Sequence, residues 1–140
     1  MQDPFFLDRF VSAQAAVYAL AVAELRNGRR HGEWIWFIFP QMKGLGHAPQ
    51  AAYYGIGSLD EAAAYLHHPI LGPRLVECTR LVNEVEDRTI QEIFGVPEDL
   101  KFRSSMTLFA HAAEDDTVFR TALEKYFEGE PDLLTLELMR

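Results

Sequence analysis

The stretch RRHGEWIWFIFPQMKGLG, residues 29–46, decides the fold class, because its apolar centre Trp34–Phe39 fits two structures equally well. A run of six apolar residues is the length of a buried strand and also of a short buried helix, and periodicity does not separate the two. A strand would make the protein mixed α and β. The neighbouring segments favour a helical turn or two in a helical chain, since each carries helical spacing and none alternates apolar with polar, but the segment's own pattern leaves helix or strand open.

Working outward from this stretch, Asp3-Pro4 combines a capping residue with a proline at a first helical position, where the missing N–H costs nothing. Phe6, Phe10, Ala13, Val17 and Leu20 follow at helical steps, and Asn27-Gly28 supplies a residue suited to a left-handed helix end. One long first helix is therefore predicted. On the other side, Ser58 and Glu61 have the capping-box spacing and open a helix through Leu66 that His67-His68-Pro69 interrupts. Leu71, Leu75, Cys78, Val82 and Val85 make a second apolar stripe. Thr89 and Glu92 repeat the capping box before a short helix that Gly95 stops. A helix follows Pro97, with Glu98 and Asp99 in its favourable first turn. Another runs from about Thr117 to Phe127, and a last one follows Pro131. These signals predict an all-α fold, a single compact domain of about six helices over residues 1–140.

The 140 residues, 49% hydrophobic and 24% charged, suit one globular unit able to bury about two-thirds of its unfolded surface. The formal charge of −8 argues against nucleic acid polymers and anionic membranes as partners. One cysteine, Cys78, leaves no internal disulfide and no cysteine-rich metal site, and it lies on an apolar stripe where a small core residue is expected. The start MQDPFFLDRFV lacks a basic region before an apolar stretch, and no run approaches a membrane span, so a cytoplasmic protein is expected.

Two regions could carry chemistry. Residues 1–50 hold five basic and four acidic residues, whereas 51–140 hold eight and seventeen, so Arg26, Arg29, Arg30 and Lys43 make a local positive patch around the tryptophans. Guanidinium and indole together suit an anionic ligand with a flat group, although the commoner arrangement, arginines solvated at a helix end and tryptophans buried in the core, accounts for both. In LKFRSSMTLFAHA, residues 100–112, Phe102, Met106, Phe109 and Ala110 form the core stripe, which Ala113 continues. Lys101, Ser104, Ser105, Thr107 and His111 fill polar rows beside that stripe. Such a helix either presents Lys101, Arg103, Ser104 and Ser105 to a pocket or is buried with its hydroxyls bonded to the preceding turn. A serine with His111 or His31 makes a nucleophile pair only if the fold joins them. No metal-binding spacing, P-loop, nucleophile elbow or dinucleotide fingerprint occurs, so no metal or cofactor is expected.

DPFFLDRFVSAQ, HGEWIWFIFPQMKGLG, YYGIGSLDEAAAYLHHPILGPRL, DLKFRSSMTLF and FEGEPDLLTL resemble the bacterial and fungal family catalogued as domain of unknown function 1810, nearly end to end. Genome listings often label that family calpastatin, but nothing here resembles calpastatin's disordered inhibitory repeats. The resemblance implies a small, mostly helical single domain and no assigned activity. Its characteristic positions fall here on Trp34, Trp36, Phe39, Pro40, Gln41, Gly44, Leu45, Gly46, Tyr54, Lys101, Arg103, Ser104, Ser105 and Thr107. A looser likeness is to the helical NADAR proteins, which act on ADP-ribose-type substrates, but their catalytic carboxylate motif has no clear counterpart here. The expected function is binding of a small anionic, nucleotide-like ligand by Trp36, Gln41, Tyr54, Lys101, Arg103, Ser104 and Ser105, with hydrolysis of an ADP-ribose-type derivative as the reaction class. The alternative is a non-catalytic protein-interaction module that uses the acidic C-terminal portion.

Overall fold

The computed structural model describes residues 2–139. Among them are ten helices and no strand: α1 (Asp8–Ala15), α2 (Tyr18–Arg26), α3 (Ile35–Ile38), α4 (Pro49–Tyr53), α5 (Leu59–His67), α6 (Leu71–Glu84), α7 (Ile90–Phe94), α8 (Glu98–Ala112), α9 (Thr117–Phe127) and α10 (Leu133–Leu138). The all-helical class and the single compact domain agree with the sequence; the number of helices does not. The apolar run 34–39 forms one helical turn, α3, with Trp34 and Phe39 buried at its ends. One isolated parallel bridge joins Met42 to Ile56.

Two of the helices beyond those read from the sequence lie in the N-terminal half. The single long helix is two, separated at Ala16-Val17, where the Val17 N–H closes a tight turn on the Gln14 carbonyl at 3.1 Å. The buried line runs through Phe10, Gln14, Ala21, Glu24 and Leu25, while Phe6 and Leu20 of the expected stripe are about half exposed. Hydrophobic spacing could not find this line, because two of its members are polar. Asp3 is not the N-cap: α1 starts at Asp8 with Leu7 before it, and the Asp3 carboxylate reaches the helix start from outside, accepting from the N–H groups of Leu7 and Asp8 at 2.7 and 2.9 Å. The five-residue α4 has too little apolar pattern to be foreseen.

Elsewhere the local signals act as read. The Ser58 hydroxyl accepts from the Glu61 N–H, and Thr89 with Glu92 forms a complete capping box. Leu71, Leu75, Cys78 and Val82 face the core, and burial pushes the Cys78 thiol up to about 12, so it is a packing residue. At the centre lies α8, packed against α3, α5, α7, α9 and α10. Phe39, Phe94 and Phe102 meet there with centroids 4.9–5.8 Å apart, two of the three pairs edge to face.

A buried carboxylate, Glu24, holds the loop before α3 to this core. One oxygen of Glu24, 2.8–3.0 Å from three donors, accepts from the His31 and Gly32 N–H groups and from the Trp34 indole, which fixes the approach to α3. Burial works against ionisation of Glu24, but these donors outweigh it and hold the carboxyl below its ordinary 4.5. Stability from this group is therefore present above pH 4.5 and lost as pH falls through the depressed folded value. Glu24→Gln keeps an acceptor and loses the charge, so urea unfolding should show a loss of about 1–2 kcal/mol at pH 7 and a shallower decline below pH 4.5. Glu24→Ala strands three donors and should cost about 3 kcal/mol or more.

Candidate ligand cleft

Eight residues of α8 are buried, on more than one face: Asp99, Phe102, Ser104, Ser105, Met106, Thr107, Leu108 and Phe109. Small hydroxyl residues allow close packing on several sides, and Ser104 and Thr107 satisfy their hydroxyls by donating to the carbonyls of Leu100 and Arg103 at 3.0 and 2.9 Å. The Thr107 oxygen also accepts from the Asp132 N–H at 2.9 Å and so sets the start of α10. Neither serine bonds a histidine: His111 Nδ1 lies 2.9 Å from the Thr107 carbonyl, and His31 is held through its backbone. The conditional serine–histidine nucleophile pair is not assembled.

The sequence candidates divide into two groups. Gln41, Lys101 and Ser104 line one cleft of about 200 Å³ with Leu45, Gly46, Pro97 and Leu100. Lys101 lies with its Nζ 4.8 Å from the centroid of the Trp36 ring, a cation–π contact, and 3.1 Å from Glu98. Gln41 is buried, and its amide group is only loosely engaged, 3.5 Å from the Leu45 carbonyl. The cleft wall at Gln41 is set by the bridge, in which the Ile56 N–H donates to the Gln41 carbonyl at 2.9 Å and the Lys43 N–H to the Ile56 carbonyl at 2.8 Å.

The second group lies away from this cleft. Arg103 donates through Nε to the Glu130 carbonyl at 3.0 Å and rests over the Phe127 ring, so it joins α8 to the turn after α9. Tyr54 packs among Phe10, Phe37 and Tyr53. Ser105 is fully buried with no hydrogen-bond partner for its hydroxyl. The positive patch is also dispersed: Arg30 spends its guanidinium on the carbonyls of Phe94 and Gly32, and Arg29 and Arg30 border a different cleft beside Gln91 and Gly95. Lys43 borders a third.

The sequence profile of the family described as "Protein of unknown function (DUF1810)" matches residues 4–139. The chain belongs to this family. Among solved structures, the DUF1810 chain is similar to the conserved hypothetical protein Rv1873 from Mycobacterium tuberculosis, at 58% identity over 98% of each chain and a TM-score of 0.97. No curated protein matches it.

In this DUF1810 fold, arginine at 103 and serine at 105 were part of the sequence signature, and their surroundings give both a packing role. Because the Ser105 hydroxyl is buried without a partner, Ser105→Ala should leave the melting temperature unchanged or raise it, by no more than about 1 kcal/mol of stability. A loss above that in a thermal melt would mean that the hydroxyl has a partner in solution.

Proposed function

We propose that the cleft between the segment after α3 and the N-terminal half of α8 receives the anionic part of a small nucleotide-like ligand. The observation that supports it is the convergence of Gln41, Lys101 and Ser104 on one cleft, with the Trp36 ring against the lysine. Lys101 supplies charge, Gln41 offers both donor and acceptor, and Ser104 can turn its hydroxyl from the Leu100 carbonyl toward a ligand oxygen. In the free protein Glu98 balances Lys101, and an incoming phosphate would compete with that carboxylate. Small-molecule sites commonly enclose about 300–1,000 Å³. A cleft of about 200 Å³ therefore suits a phosphate or one ring, with the rest of the ligand lying across exposed Leu100.

Binding is the function proposed. The reaction class that such a ligand suggests is hydrolysis of an ADP-ribose-type derivative, and ADP-ribose compounds belong among the probes for that reason. A second reading, a protein-interaction module, draws on Leu133 and Leu134, exposed at the start of α10 in the acidic C-terminal portion near Glu128, Glu130 and Asp132. A partner held by that charge should be retained at low salt and lost as salt rises.

Thermal-shift measurements with nucleotides and ADP-ribose compounds at millimolar concentration test the first reading. Ligand at a hundred times Kd would add about 2.7 kcal/mol of apparent stability. The shift should disappear in Lys101→Ala, grow in Glu98→Gln and persist in Arg103→Ala. No stabilisation of the wild type, or a shift that survives Lys101→Ala, contradicts it.

A further inference from the structure

A larger cavity, about 410 Å³, lies elsewhere, with Phe6, Arg9, Lys43, Tyr53, Gly55 and Glu61 in its lining. Its volume falls within the usual range for small-molecule sites, about 300–1,000 Å³. Two features of the lining are not explained by folding.

The first is Phe6. Its φ of 52° lies in the left-handed region, which bulky L-residues avoid and glycine or asparagine take at least cost. Arg9 holds the backbone there, donating through Nη1 to the carbonyls of Phe5 and Phe6 at 2.6 and 2.7 Å. The conformation turns the Phe6 ring outward, 51% exposed, edge-on to Tyr53, which is 52% exposed. The Arg9 guanidinium lies 6.0 Å from the Phe6 centroid, at the limit of a cation–π contact, but neither backbone preference nor core burial accounts for a phenylalanine at this position. The two rings instead form an aromatic wall on the cavity.

The second is charge. Arg9 and Glu61 are both buried and neutralise each other at 2.7 Å, so they contribute little net field. Lys43 is exposed and has no acidic partner within ion-pair distance among the described residues, which leaves one uncompensated positive charge in the lining. The frame that presents these groups is fixed. Arg9 donates to the carbonyls of Tyr53 and Gly55 at 2.8 and 3.0 Å, and the Gly57 N–H donates to Glu61 at 2.9 Å.

We infer that this cavity is a binding site for a flat heteroaromatic ring carrying a single phosphate or carboxylate, the ring against Phe6 and Tyr53 and the anion on Lys43. Stacking on aromatic side chains is tolerant of ring identity, so the anion and its distance from the ring set the selectivity. The inference shares no side chain with the Lys101 cleft and stands whether or not that cleft binds a ligand.

The test is a titration of the full-length, isotope-labelled protein with AMP and, separately, with nicotinate, followed by amide chemical shifts. Adenosine and inorganic phosphate are the controls for ring without charge and charge without ring. The expected result is shifts at Phe6, Tyr53, Gly55 and Gly57 with at least one of the two ring anions, and affinity at least about tenfold weaker for both controls. Response to AMP alone identifies the phosphate form, and response to nicotinate alone the carboxylate form. Phe6→Gly is the decisive variant: it deletes the ring and relieves the left-handed backbone, so binding should fall at least about tenfold while the melting temperature holds or rises. Lys43→Gln and Tyr53→Ala, both at exposed positions, should weaken binding similarly. The inference is overturned if neither ring anion shifts these amides or if shifts are confined to Leu45, Lys101 and Ser104. It is also overturned if Phe6→Gly binds as the wild type does, or if that variant loses stability, which would make the ring structural.

Discussion

Arg9 carries five N–H donors in a rigid planar fork, and in this protein every one has an acceptor: the carbonyls of Phe5, Phe6, Tyr53 and Gly55, and one oxygen of Glu61. A buried charge so fully engaged is costly to remove, because its partner carboxylate would then stand uncompensated away from water. The guanidinium also lies 4.3 Å from the centroid of the Phe10 ring, which anchors it to the core. Through these bonds one side chain ties the N-terminal segment, α1, the loop after α4 and the first turn of α5 together. That loop carries Ile56, whose bridge to Gln41 and Lys43 shapes the chain between the two cavities. Gly55 lets it come this close: a Cβ there would lie 2.6 Å from the Ala51 carbonyl oxygen and 2.7 Å from the Lys43 Cα.

Glu24 does for the approach to α3 what Arg9 does for the loop after α4. Its carboxylate gathers His31, Gly32 and Trp34, while Arg30 clasps the end of α7 through the Phe94 carbonyl. Both anchors are buried ions that satisfy backbone groups where regular helix has ended. Loops secured in this way hold the short helix α3 with Trp36, and present Gln41 and Lys43, at fixed positions without a surrounding sheet or disulfide. Preorganisation of that kind lowers the entropic cost of binding a small ligand.

The sequence exposed those features that depend on local chemistry. The stripe of α6, the capping box before α7 and the limits of α9 follow from spacing and caps that operate within a few residues, whereas the helical nature of 34–39 was favoured only by its helical neighbours. The joining of Gln41 with Lys101 and Ser104 was also within reach, because both regions combined polar groups with an apolar pattern. Arg9, Gln14 and Glu24 were not: a polar residue on a helix is read as solvent-facing unless its distant partner is known, and their partners lie at Tyr53, Phe37 and Gly32. The same blindness extended the first helix past Val17. Nor does spacing alone say that α8 is covered on several sides, which is why Arg103 and Ser105 stood among the candidates for a pocket with the buried-helix alternative left open. Phe6 was placed on a core stripe that a left-handed backbone turns away from the core.

The geometry of both cavities depends on Arg9, and native-state amide exchange in Arg9→Lys tests this dependence directly. Lysine keeps the charge but offers three donors from a single nitrogen, so the planar clasp on Tyr53 and Gly55 is lost while an ion pair with Glu61 remains available. The amides of Ile56 and Lys43, which form the bridge, should lose protection together by at least about tenfold, while amides in the middle of α6 change much less. Unchanged protection at Ile56 and Lys43, or an equal loss throughout α6 and α8, would contradict the central role given to this one side chain.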